Sequence, residues 1–313
     1  MDNTLCNIKN ISCYERRIFM NYKEFETELK TALEEYLGSE ITLNPVKSVK
    51  NNGVIYHGLV FQNKASNIAP TIYLDDFYEK YTRGFPFSKT VHEVLRLYKQ
   101  SPTVPDINGK QFLSFEANKD KITYRLINYE LNQSSLENRP YIPYLDLAIT
   151  FDIILKADSN GIASLPIKYE LLELWGKSVE EIYDLAKRNT ERLFPVQIQT
   201  MDTLLKDIML DDKLSENDRP NLLILSNDLT QYGANCMLYR DILKSIGDNL
   251  QENFYILPSS IHEVLILGEN HADALALSDM IQDINEAVVL NEEILSDHPY
   301  YYDRNTMSVR YAE

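Results

Sequence analysis

Three places in this chain gather side chains that could do chemistry. Between Ser296 and Arg304 the run Ser-Asp-His-Pro-Tyr-Tyr-Tyr-Asp-Arg sets Asp297, His298 and Asp303 beside Tyr301, Tyr302 and Arg304. A histidine flanked by carboxylates can exchange protons near neutral pH, and tyrosines with an arginine can hold a ligand, so acid–base catalysis or binding is the chemistry on offer. Upstream, Ser259 and Ser260 lie next to His262. Ser260 or His262 could complete a hydrolase-type site with Asp297, His298 and Asp303 if the fold brings the two stretches together. The third place is Asp75, Asp76 and Tyr78, which with Tyr301, Tyr302 and Arg304 are candidate binding residues. Against all of this stands a plainer reading, which we prefer. The C-terminal run is a strand that docks by its tyrosines and leaves Asp303 and Arg304 on the rim, and no catalytic residue is assigned.

Complete motifs are missing elsewhere. His262-Glu263 and His92-Glu93 open like the zinc-protease helix, but neither has a second histidine four residues on, so one helical face could not hold the metal. Asp158-Ser159-Asn160-Gly161 resembles the start of a calcium loop, yet its glycine comes two positions early and no acid closes the cage. No G-x-G-x-x-G, phosphate-cradling loop or G-x-S-x-G elbow occurs. We therefore expect no cofactor and no metal.

At 313 residues the chain exceeds a comfortable single core, so two or three packed subdomains are expected. Hydrophobic residues at 44% and charged residues at 25% exclude wholesale disorder. Tyr is over-used, with 21 residues against 11 Phe and one Trp, which predicts half-buried rings with polar tips. No apolar run approaches a membrane span. Residues 1–19 put Arg16 and Arg17 after the apolar residues, the reverse of a signal peptide. Three cysteines leave an odd number, and Cys236 reads as a packed thiol, so a reducing cytoplasm is expected.

The net charge of −16 is uneven, because residues 201–313 hold 21 acids and 7 bases. An acidic pole without a Lys/Arg stripe disfavours direct binding to nucleic acid.

The local pattern is α+β. Tyr22, Phe25, Leu29, Leu33 and Tyr36 mark a helical face ended by Gly38, and Asn51-Asn52-Gly53 joins two β-rich runs as a hairpin. A short strand from Thr71 and helices over 75–84 and 88–100 complete an N-terminal unit, 20–108. A middle unit, 109–200, pairs DLAITFDIIL with GIASLPIKYELL and then starts a helix at the Ser178/Glu181 capping box. An acidic C-terminal unit, 201–313, has strands at 221–227, 254–257 and 264–267, a helix over 234–250, and a helix over about 272–288 with Ala274, Leu277, Ile281, Ile284 and Val288 inward. Hairpin followed by helix thus recurs in all three units, as antiparallel sheets covered by helices.

The stretches IYLDDFYEKYTRG, FYILPSSIHEVLIL and LSDHPYYYDR, in this order, resemble a family of bacterial proteins classed as a domain of unknown function. The resemblance runs from about Asn21 to Arg304 and makes Met20 an alternative start, with residues 1–19 a leader or tail. It implies a cytoplasmic protein and supplies no functional residue to carry over. Taken together these features favour a soluble, non-enzymatic module for protein interaction or regulation, with an unknown protein partner and no membrane association. Two alternatives stay open: the hydrolase above, and an acidic mimic of nucleic acid that presents Asp279, Asp283 and Glu286 from one helix to a basic partner.

Overall fold

A computed structural model describes residues 20–64, 66, 69–101, 109–158, 161–200, 222–271 and 274–312. The leader 1–19 with Cys6 and Cys13, and the acidic stretch before Leu222, lie outside them. The protein is α+β with three antiparallel sheets. Two compact units divide it: Tyr56–Ile107 with the described residues up to Ser48, and Val49–Ile55 with Asn108–Glu313.

The first unit opens with helix α1 (Tyr22–Leu37). Asn21 accepts a hydrogen bond from the Glu24 amide while the Glu24 carboxylate accepts from the Asn21 amide, so two donors at the helix start are satisfied at once. Phe25, Leu29 and Leu33 are fully buried against Leu43, Leu59, Phe61 and the helices α2 (Asp75–Thr82) and α3 (Phe87–Gln100). Tyr36, expected on the same buried face, is 63% exposed. It sits in the last turn, where a ring with a polar tip can remain in water while its edge meets His92. Strands β1 (Ile41–Val49), β2 (Ile55–Asn63) and β3 (Thr71–Tyr73) form the first sheet in that order. Asn52 and Gly53 both adopt positive φ, +57° and +69°, which a tight hairpin turn requires and which Asn and Gly tolerate best.

The second unit contains the other two sheets. In one, β6 (Leu147–Asp158) is central. It pairs with β4 (Ile122–Asn128) on one side, and with β5 (Tyr141–Tyr144) and then β7 (Gly161–Pro166) on the other. Every residue from Leu147 to Ile154 is buried, as a strand covered on both faces demands. Side-chain alternation sorts the sheet. Tyr124, Leu126, Ile149 and Phe151 share one face, against which the helix Val179–Leu193 packs Tyr183, capped by the reciprocal Ser178–Glu181 bonds. Thr123, Arg125, Ile127, Thr150 and Asp152 point to the opposite face.

The remaining sheet has six strands in the order β13-β12-β10-β11-β9-β8. These are β8 (Val196–Thr200), β9 (Leu223–Asn227), β10 (Phe254–Leu257), β11 (Val264–Gly268), β12 (Tyr300–Asp303) and β13 (Ser308–Tyr311). The expected pairing of Phe254–Leu257 with the Val264 strand is present, with Leu257 opposite Leu265. Helix Ala274–Ala287 buries Leu277 and Ile281 against Leu257 and Leu267.

Three local expectations are corrected. Val288 lies past the helix end and is 77% exposed, while Asn285 takes a core position because its amide has the carbonyl of Ser296 to satisfy it. The helix expected over 234–250 is two pieces, a 3-10 turn Gly233–Leu238 and a helix Ile242–Leu250. Between them Tyr239 is extended and Asp241 has φ +59°, so the hydrogen-bond ladder cannot run through. Finally, GIASLPIKYELL is strand only to Pro166, and Tyr169–Trp175 is helix, since proline removes the ladder donor that would extend the strand.

Ile281 is 1% exposed and Asp279 faces solvent. Urea denaturation should therefore show Ile281→Ala costing roughly 2 to 5 kcal/mol, with Asp279→Ala and Val288→Ala each within about 0.5 kcal/mol. Equal losses at all three positions would mean that the packing face is misassigned.

Candidate functional site

The polar face of the β4–β6–β5 sheet carries the one charged residue of the buried Leu147–Ile154 run, Asp152, which is 2% exposed. An isolated carboxylate there would be very costly, and the sequence answers it with two cations. Arg125 Nε approaches Asp152 Oδ2 at 3.3 Å, and Arg139 Nη2 approaches Oδ1 at 3.3 Å. Arg125 comes from the adjoining strand, two positions along from the residue opposite Asp152. Arg139 comes from the turn just before β5, whose amide bonds the Leu136 carbonyl. Arg125 also donates to Ser164 Oγ at 3.2 Å, and its guanidinium lies under the Tyr232 ring, 3.6 Å from the centroid. Both guanidiniums remain only partly accessible. Burial draws the Arg139 pKa down, Asp152 partly offsets this, and Arg125 adds to the lowering.

These arginines line a cleft of about 380 Å³ within the second unit. Ile127 and Ile261 give it an apolar side, and Asn51, Asn132, Glu292 and Glu293 give it a polar one. An asparagine network fixes that polar side. Asn52 and Asn132 exchange bonds of 2.9 and 2.8 Å, and Asn51 and Asn52 donate to the carbonyls of Asn291, Glu292 and Ile294. Asn128 adds a bond to the Leu295 carbonyl.

His262 holds two of the residues that line the cleft, Tyr232 and Glu293. Its Nδ1 accepts from the Tyr232 amide at 3.4 Å and its Nε2 lies 3.2 Å from Glu293, so both ring nitrogens are used and the proton of the neutral form sits on Nε2. The loop that holds Tyr232 is tight. A Cβ on Gly233 would stand 2.4 Å from the His262 carbonyl oxygen and 2.0 Å from Ser226 Oγ, so only glycine fits there. Ser260, the neighbouring hydroxyl, accepts from the His262 amide.

The other residues singled out from sequence lie apart from this cleft or serve the fold. Asp303 accepts from the amides of Asn305 and Thr306 and makes the β12–β13 turn. Asp297 accepts from Asn285 at 2.6 Å, and the His298 ring meets Tyr311 edge-on. Among the described residues, no hydrogen bond or ion pair joins His262, Asp297, His298 and Asp303 to one another. Tyr302 is buried and stacks on Phe254, while Tyr301 donates to Glu269 at 2.8 Å beneath the Arg310 guanidinium. Burial, reinforced by that bond, pushes the Tyr301 phenol up to about 12. Arg304 bonds Asn253 through its amide and reaches Asp248 at 3.5 Å. In the first unit Asp75 binds the amide and ring of His57, Tyr78 donates to the Met20 carbonyl from within the aromatic core, and Asp76 is exposed. His92 sits on α3 bonded to the Ser88 carbonyl, whereas His262 precedes a strand, so the shared His-Glu-Val-Leu string has two unrelated settings.

Sequence reasoning passed over Arg125, Arg139, Asp152 and Tyr232. One signal was available, the aspartate inside the apolar run of DLAITFDIIL. It also passed over Asp146, which accepts from Ser296 Oγ at 2.6 Å and from Tyr300. Among the described residues no cluster of three or more His, Cys, Asp or Glu side chains is placed to hold a metal, and no helix is long and apolar enough to cross a membrane.

Replacing Asp152 by Asn should destabilise the protein by about 3 to 5 kcal/mol, because two largely covered guanidiniums lose their counter-charge. Chemical denaturation checks this, and a loss below about 1 kcal/mol would show the ion pairs to be incidental. A second expectation concerns alkali. Tyr300 and Tyr239 are buried phenols whose pKa burial raises well above the ordinary value, with Asp146 adding to the effect on Tyr300 and Cys236 to that on Tyr239. A raised folded-state pKa gives stability that is intact below about pH 10 and is lost as pH climbs above it, because only the unfolded state ionises there. Phenolate absorbance should thus rise together with loss of circular dichroism, and Tyr239→Phe with Tyr300→Phe should move that midpoint to higher pH. Phenolate absorbance that the wild type gains while its circular dichroism is still intact, and that the Tyr239→Phe/Tyr300→Phe variant lacks, would contradict it.

No curated protein and no solved structure matches the chain. A family model matches residues 22–304, which takes in both units and every cleft residue named above. The chain belongs to the Family of unknown function (DUF5688).

Proposed function

We propose that this protein is a non-enzymatic binding module that serves interaction or regulation, with its recognition cleft in the second unit. The observation that carries the reading is the Arg125–Asp152–Arg139 wall. It is a fixed charge arrangement, held by a buried carboxylate before any ligand arrives, and such preorganisation lowers the cost of binding. Two further features support it. Three of the four side chains that the sequence offers for proton transfer in this unit, His262, Asp297 and Asp303, each hold a loop or turn, and the fourth, His298, sets its ring against Tyr311. Asp279, Asp283 and Glu286 are exposed on the helix Ala274–Ala287 and would suit a basic protein partner. A cytoplasmic setting fits the buried free thiol of Cys236, whose pKa burial pushes up to about 12 and so keeps unreactive.

Incubating the full chain with a small-molecule extract of cells tests the reading. A compound retained by the protein, recovered with unchanged mass after denaturation and present in constant amount over time, is the expected result. A product that accumulates with time would contradict the non-enzymatic reading and favour the hydrolase.

A further inference from the structure

The cleft also indicates the charge of what it takes. Three ionised groups meet beneath it, two guanidiniums and one carboxylate, so the wall carries an uncompensated positive charge in a partly desolvated place. The same cleft is lined by Lys50, Glu292 and Glu293, with Glu293 engaged by His262, so the positive excess is local to the arginine wall. Of the two arginines, Arg125 is the more fully used, with Asp152, Ser164 and the Tyr232 ring around it. Among the described residues the Arg139 side chain has Asp152 as its hydrogen-bond and ion-pair partner, and its Nε is buried without a hydrogen-bond partner. Oxyanions are the ligands that a guanidinium fork fits best, and a charge-assisted bond in a water-poor cleft is among the stronger ones available.

A second observation points the same way. Tyr232 has φ +54°, a left-handed conformation that a bulky residue adopts only when its surroundings force it. Such strain gathers at ligand clamps. Here it places the ring flat against Arg125 at the cleft wall, with Ile127 and Ile261 supplying an apolar side. A volume of about 380 Å³ suits a metabolite rather than a peptide segment.

From this geometry we propose that the cleft binds a small organic oxyanion, a carboxylate or a phosphate ester, with its charged end on Arg139 and its carbon body against Ile127, Ile261 and Tyr232. The proposal rests on the reading of the cleft as a recognition site and adds the ligand class.

Isothermal titration of the full chain at low ionic strength with succinate, with glycerol phosphate and with inorganic phosphate tests it. At least one of the first two should bind at a single site, and Arg139→Gln and Arg139→Lys should each weaken that binding by about tenfold or more, since lysine keeps the charge but loses the fork. Val288→Ala, an exposed position past the end of the helix Ala274–Ala287, should bind as the wild type does. Preference for succinate identifies a carboxylate ligand and preference for glycerol phosphate a phosphorylated one. Should Arg139→Gln fail to fold, phenylglyoxal labelling of the wild type with mapping by mass spectrometry replaces it, and the bound anion should protect Arg139 selectively. The proposal is overturned if neither organic anion binds, if binding survives in folded Arg139→Gln, or if bound anion leaves Arg139 labelling unchanged. Time-dependent conversion of the bound acid would leave the oxyanion site standing and would instead overturn the non-enzymatic reading.

Discussion

The second unit is organised around one carboxylate that cannot be left alone. Asp152 stands in the middle of a strand whose neighbours are all buried, and it is 2% exposed. Deep burial of a charge is tolerated only with close partners, and the attraction of each arginine must outweigh the loss of its own hydration. This sets where Arg125 and Arg139 lie. One is delivered by strand pairing, through the register that places Thr123 opposite Asp152, and the other by the turn that leads into β5. The result is a rigid patch with more positive than negative charge.

The same sheet explains why the patch borders a cleft rather than a packed core. Its other face is filled by Tyr124, Phe151 and the helix Val179–Leu193, with Tyr124 hydrogen-bonded to the Asn235 carbonyl. Asn235 bonds the amide of Leu126 and the carbonyl of Tyr124, so a side chain stands in for an adjoining strand. Elsewhere Asn51 and Asn52 bind the carbonyls of residues 291, 292 and 294, Asn128 binds that of Leu295, and Asn132 that of Asn128. Side-chain amides satisfy a backbone that no sheet or helix satisfies, and they leave space between the elements they tie.

Much of the fold was legible because its signals are local. The Asn-Gly turn, the Ser178–Glu181 capping box and the Phe254–Leu257 pairing all depend on residues close in sequence. The helix break at Tyr239–Asp241 was not legible, since its cause is tertiary: Tyr239 donates to the Phe194 carbonyl at 2.7 Å. Val288 misled because it keeps the apolar period beyond the point where the helix has ended. The cleft was hidden for another reason. Arg125, Arg139, Asp152 and Tyr232 have no shared periodicity or motif, and only strand register and one left-handed tyrosine bring them together. The C-terminal Asp/His/Tyr run showed the opposite case, conspicuous in sequence because a docking strand and its turn need many polar contacts.

The account stands on Asp152 and Arg139 acting as a coupled pair. A double-mutant cycle of Asp152→Asn, Arg139→Gln and the double variant, read by urea denaturation, measures this directly. The account predicts non-additivity of at least about 1 kcal/mol, with the double variant more stable than the sum of the single losses implies, because removing both charges leaves less uncompensated charge buried than removing the carboxylate alone. Additive losses would contradict it, and would show that the two side chains merely lie near each other.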